Sequence, residues 1–150
     1  MSNIELIQGH LMKLFNNSQA TKLCTDYFIV SQVWDDLIDG EEVSKSNIHS
    51  VFRLALCEIP SNPFYLQFNS YLQPVIDINI SKWLVANEYE DRKEQLHKAY
   101  MLRAGIYDLF AMCYKLIHGP LIDCSPIYNL YGEIFKEYKK EILCQTQSQQ

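Results

Sequence analysis

The sequence predicts an all-α fold, a compact single-domain helical bundle of six to seven helices. Three observations predict it. Apolar residues recur at i, i+3, i+4 and i+7 along most of the 150 residues, the period of a helix with one buried face. Only five Gly and five Pro occur, too few for the many tight turns of an all-β chain. Hydrophobic residues make up 48% of the chain and aromatics 13%, enough to fill the core of one domain of this length.

Each helix has its own start and stop signals. Ser2 and Glu5 form a capping box ahead of "IELIQGHLMKLF" and predict a first helix over 3–15. "NNS" at 16–18 interrupts it, and Ser18 is placed to cap a second helix over 19–39. Leu23, Tyr27, Val30, Val33, Trp34, Leu37 and Ile38 form the apolar side of that helix, and Gly40 ends it as a left-handed residue. A third helix opens at Ser46 or Asn47 with Ile48, Val51, Phe52, Leu54 and Ala55 as its core face. "PSNP" at 60–63 stops it and puts Pro63 in the first turn of the next. Pro74 lies inside the apolar segment 63–88. It lacks a donor and clashes with the preceding turn, which predicts a kink or break near Gln73. Asp91 and Glu94 form a box-like start for a long helix that ends at His118, before Gly119-Pro120. Its inward positions are Leu102, Ile106, Leu109, Cys113, Leu116 and Ile117. Ser125-Pro126 opens a last helix to about Leu143, and "QTQSQQ" is polar without apolar anchors. The domain is therefore expected over 1–143, with a frayed tail over 144–150.

Composition removes several function classes. The net charge is −5, from 13 basic and 18 acidic residues, and there is no basic stripe of the kind that tracks a phosphate backbone, so nucleic acid is not an expected partner. None of the five cysteines forms a C-x-x-C pair, which leaves a zinc ribbon without ligands and suits reduced thiols in a cytoplasmic protein. The N-terminus carries Glu5 and lacks a basic leader pattern, and no apolar run reaches the roughly 20 residues that span a bilayer, so a membrane location is not expected. His10, His49, His97 and His118 show no metal-ligand spacing, and no P-loop, G-x-G-x-x-G or G-x-S-x-G occurs.

What remains is the stretch "QVWDDLIDGEEV" at 32–43. Asp35, Asp36, Asp39, Glu41 and Glu42 place five carboxylates in eight residues. On a helix Asp35 and Asp39 are i, i+4 and Asp36 and Asp39 are i, i+3, so these pairs share one face. Hard oxygen ligands at that spacing suit Mg or Mn. The end of a helix that carries partial negative charge is also where each acid costs about 0.3–1 kcal/mol, so a compensating cation or cationic partner is expected. A second polar set interrupts the apolar helix before His118. Arg103 has the fork geometry to bind a phosphate, and Asp108 could face a metal as a ligand. Without a ligand, Arg103 is expected to pair with Asp77 or Asp108, because buried charges are normally paired.

"SQVWDDLIDG" resembles the first aspartate-rich motif of the class I isoprenoid (prenyl diphosphate and terpene) synthases. The resemblance covers ten residues. It implies that Asp35, Asp36 and Asp39 bind Mg ions that hold a substrate diphosphate. That family also carries a second metal motif on a facing helix. Here "IDINISKWLVANE" supplies Asp77 and Ser81, with Val85 where the motif has Glu, and Glu88 three residues later. The all-α nucleotide pyrophosphohydrolases are similar in chemistry only, through the E-x-x-D of Glu88 and Asp91.

Two functions follow. In the first, the chain is a small acidic accessory protein of phage or mobile-element type. The turn 35–42 recognises a basic surface on a protein partner, and a homo-oligomer also suits so aromatic a bundle. In the second, it is a Mg- or Mn-dependent enzyme acting on a diphosphate-containing substrate. Its metal sits on Asp35, Asp36 and Asp39 with Asp77, Glu88 or Asp108 from a facing helix, and Arg103 clamps phosphate. The first ranks ahead because no complete catalytic set is present.

Overall fold

The computed structural model describes residues 2–93 and 95–134, with side chains as far as 130. The fold is all-α, as expected, with no strand among the described residues. Helix α1 spans Asn3–Phe15, and both bonds of its capping box form: Ser2 N–H donates to Glu5 Oε2 at 2.8 Å and Glu5 N–H to Ser2 Oγ at 3.2 Å. Asn16, in the left-handed region at φ 46°, ends it. Helix α2 spans Ser18–Ile38. Its cap is Asn17 and not Ser18: Asn17 Oδ1 accepts from Ala20 N–H at 2.9 Å. Ser18 already has a helical backbone, and Asn is at least as good a cap.

Gly40, at φ 74°, closes α2 as expected. Glu41 N–H donates to Asp36 O at 2.9 Å and Gly40 N–H to Leu37 O at 3.4 Å, the paired bonds of a Schellman ending. Ser44 then caps α3, Lys45–Arg53, through Asn47 N–H at 3.1 Å. The chain continues through a π-turn, Leu54–Glu58, in which Ile59 N–H reaches back to Leu54 O, and a short α4, Ile59–Ser61. Pro60 gives a physical reason for the wide turn. It offers no N–H, and its ring crowds the carbonyl four residues back, at Leu56. Asn62 opens α5, Pro63–Arg92, by accepting from Phe64 N–H at 2.9 Å and Tyr65 N–H at 3.1 Å.

The helix does not break at Gln73. It continues through Pro74, and its departure from helical geometry falls at Phe68 (φ −119°, ψ 19°). Phe68 lies six residues before Pro74, beyond the carbonyl four residues back that a proline ring crowds, and its ring packs on Phe64, 4.8 Å between centroids. Helix α5 also runs through Asp91 to Arg92, where a start was expected, and Lys93 turns out of it at φ 56°. Glu94 lies outside the described residues, as does the expected course of the last helix to Leu143 with the tail 144–150. The long helix to His118 is two helices, α6 Leu96–Arg103 and α7 Ile106–His118, divided at Ala104-Gly105. Helix α8 spans Ser125–Ile134.

The chain divides into two compact units between Ser70 and Tyr71. In the first, α1 packs on α2, and α2 also carries α3, the π-turn and α4. Its buried residues include Ile7, Leu11, Phe15, Leu23, Cys24 and Phe28. Helix α2 buries Leu23 and Val33 as expected and half-buries Tyr27, Val30 and Trp34, but Leu37 and Ile38 face outward, and Thr21, Thr25 and Asp26 are also inside. The two threonines stay satisfied by donating to Asn17 O and Thr21 O at 2.8 and 2.7 Å. In the second unit α7 packs on α8, and Leu109, Phe110, Cys113 and Ile127 are fully buried.

Candidate functional site

The acidic end of α2 is built on a finished helix terminus. The carbonyls of Asp35 and Asp36 accept from Asp39 N–H and Glu41 N–H, each at 2.9 Å. Asp35 and Asp36 are half-buried in the last turn, and Asp39, Glu41 and Glu42 are exposed. The capped backbone fixes the turn, and the carboxylates are arrayed around its negative end.

The next element departs furthest from expectation. Of the expected core face of α3, Val51 and Leu54 are half-buried while Ile48, Phe52 and Ala55 are exposed, and no residue of α3 or of the π-turn is fully buried. Ile48, Phe52 and Leu56, spaced i, i+4, i+8, are 38%, 66% and 60% exposed. Two polar contacts join this segment to α2, from Lys22 to Glu58 and from Asn62 to Gln19, beside ion pairs within each. Lys22 Nζ lies 2.5 Å from Asp26 Oδ2 and 3.8 Å from Glu58 Oε2, Arg53 is 3.7 Å from Glu58, and Asn62 Nδ2 donates to Gln19 O at 3.0 Å. A sequence pattern shows that a stripe is apolar, not whether a neighbour covers it.

The second unit places Arg103 where its charge is matched, but not by Asp77 or Asp108. Its Nε donates to Glu90 Oε1 at 2.9 Å and its Nη2 to Glu90 Oε2 and to Asn87 Oδ1, both at 2.6 Å. The guanidinium lies 5.1 Å from the centre of the Trp83 ring. Glu90 and Asn87 were missed. They sit thirteen and sixteen residues away, and only the register of α5 against α6 brings them in. Asp108 is held by Lys82 Nζ at 2.6 Å and by the Tyr128 hydroxyl, which donates to it at 2.7 Å. Burial, and then this bond, push the Tyr128 phenol above its usual range. Asp77 is exposed, and Glu88, also exposed, pairs with Arg92 one turn on.

Two further features of this unit are chemically notable. Asn79 is 4% exposed, and neither atom of its carboxamide has a hydrogen-bond partner. It packs against Gly105, where an added Cβ would lie 3.0 Å from Asn79 Oδ1. An open apolar groove of about 390 Å³ is lined by Tyr89, His97, Lys98, Met101 and Leu102.

Among the described residues, no group of three or more His, Cys, Asp or Glu side chains is arranged to hold a metal ion. None of their helices is long and apolar enough to cross a membrane. No family model matches the chain, and neither a curated protein nor a solved structure matches it.

Proposed function

We propose that this chain is a non-catalytic interaction protein whose first unit docks a partner through the exposed stripe of α3 and the acidic end of α2. One observation carries the reading: a helix with a clear apolar stripe buries none of its residues. Isolated helices this short are marginal, and an amphipathic one normally faces its stripe inward. Leaving Ile48, Phe52 and Leu56 partly in water forgoes a fraction of the roughly 1.5–3 kcal/mol that full burial of each would supply, least for Ile48. The five carboxylates beside this segment set the sign of the partner's charge and would steer it.

The test is fluorescence anisotropy with a labelled amphipathic Lys/Leu helical peptide. Binding should weaken with salt, weaken in Asp36→Asn/Asp39→Asn and be lost in Phe52→Ser. Binding that neither variant changes would end the reading.

A second reading, a divalent-cation site, rests on the i, i+3 and i, i+4 spacing of Asp35, Asp36 and Asp39 at the negative end of α2. A cation that binds only the folded chain stabilises it by about 2.7 kcal/mol at a hundredfold excess over Kd. Millimolar Mg²⁺ or Mn²⁺ should then raise Tm above a NaCl control of equal ionic strength, and the rise should vanish in Asp36→Asn/Asp39→Asn. An equal rise in both proteins removes this reading.

A further inference from the structure

Beside the stripe Ile48, Phe52, Leu56 runs a second row on α3, three residues out of step: Lys45, His49 and Arg53, also at i, i+4, i+8. All three are exposed. Arg53 is only loosely engaged, 3.7 Å from Glu58 with its side chain 73% exposed. The same unit therefore carries an apolar stripe with a basic flank and, one turn earlier in the chain, an acidic helix end. That acidic end has apolar residues of its own, since Leu37 and Ile38 are exposed within it.

Each patch is the chemical complement of the other, and no partner with a separate basic surface is needed. We propose that the partner is a second copy of this chain, in a twofold dimer where α3 of each copy lies against the acidic end of α2 of the other. Twofold symmetry requires every contact to occur twice with the roles exchanged. A surface holding both halves of a complementary pair meets that requirement, whereas stripe against stripe alone would set Lys45, His49 and Arg53 against their own copies. In the paired arrangement Lys45 and Arg53 face Asp36, Asp39 and Glu42, while Ile48, Phe52 and Leu56 cover Leu37 and Ile38. The proposal rests on the docking reading above and names its partner. One helix face per copy is a small interface, and complexes of that size fall in the micromolar range of Kd.

Sedimentation velocity of the full chain over roughly 5–500 μM, the range such a Kd requires, tests it, with circular dichroism to check that each variant folds. Every position changed is exposed. Wild type should pass from monomer to dimer over that range, at higher concentration when NaCl is raised. Asp39→Lys/Glu42→Lys should self-associate at least tenfold more weakly, because two of the three carboxylates set against the basic flank are then cations. Lys45→Glu/Arg53→Glu should do the same with both negative. An equimolar mixture of these two variants should recover the dimer, since each twofold contact again joins opposite charges. A dimer untouched by Phe52→Glu, or a mixture that stays monomeric, overturns the arrangement. A monomeric wild type that still binds the Lys/Leu peptide overturns the dimer and leaves the docking reading standing. A chain that does neither overturns both.

Discussion

Removing the Arg103 side chain should cost the second unit more stability than any single surface change. The guanidinium is 10% exposed and its partner Glu90 24%. Arg103→Ala removes both guanidinium hydrogen bonds from that carboxylate and the cation that faces it. Truncating one member of a buried pair costs about 3–5 kcal/mol. Glu90 keeps some water, which places the loss near 3 kcal/mol, and the lost stacking on Trp83 adds about 0.5–1 kcal/mol. The chain has two Trp, Trp34 and Trp83, one in each unit, so a Trp34→Phe background makes fluorescence report the second unit alone. With a urea slope of about 1–3 kcal/mol/M, the midpoint should fall by roughly 1–4 M. Arg103→Lys keeps the charge but not the two-pronged bond and should lose about half as much. Arg103→Met/Glu90→Met removes both charges and should be more stable than Arg103→Ala. A midpoint unchanged in Arg103→Ala would show that the pair does not support the fold. A double variant weaker than the single one would show that packing, not the stranded charge, sets the cost.

Three further outcomes are expected. Gly105→Ala should destabilise by about 1–3 kcal/mol, because the new Cβ meets the Leu102 carbonyl and Asn79 Oδ1 at 3.0 Å. At an open helical position the same change would stabilise, so the sign of the shift in a thermal melt decides. Burial pushes the Tyr27 phenol up to about 12. Below pH 10 it is protonated folded and unfolded alike and its contribution is complete; between pH 10 and 12 the unfolded chain ionises first and stability falls. Tyr27→Phe should flatten part of that alkaline loss in denaturant melts taken at successive pH values, and an unchanged slope would locate the loss elsewhere. In a Cys144→Ser background Cys57, which is exposed, should react with Ellman's reagent within the mixing time, while buried Cys24 and Cys113 wait for unfolding. Immediate reaction of more than Cys57 and the half-buried Cys124 would contradict the packing.

Local chemistry was legible in the sequence. The capping box at Ser2 and Glu5 and the left-handed Gly40 need only their neighbours, and both stand where the sequence put them. Features set by other helices were not. The close approach of Asn79 and Lys82 to Gly105, at the division between α6 and α7, is announced by nothing in "LRAGIYD". Arg103 was rightly expected to find a carboxylate, but choosing Glu90 over Asp77 or Asp108 requires the register of α5 against α6. Pro74 reads as a break, but the helix continues through it and the departure from helical geometry falls at Phe68. In the candidate site, the spacing of the acids was plain, while the outward turn of α3 was invisible, because an apolar stripe reads the same whether a neighbour covers it or not.

The wide turn at Leu54–Glu58 has a consequence for that stripe. In an unbroken α-helix, residues seven apart project in nearly the same direction, so Phe52 and Ile59 would point the same way. Here Phe52 is 66% exposed and Ile59 only 9%. The extra residue in the turn acts as a phase shifter, setting the downstream residues back by about one position around the axis. One continuous run of sequence can then offer its apolar side to water before the turn and to the protein's interior after it. Ile59 is thereby an anchor, and the helix ahead of it is free to present a face. Deleting one residue from the turn, Cys57 for instance, would bring the two halves back into step, and the chain would have to choose between burying both faces and exposing both.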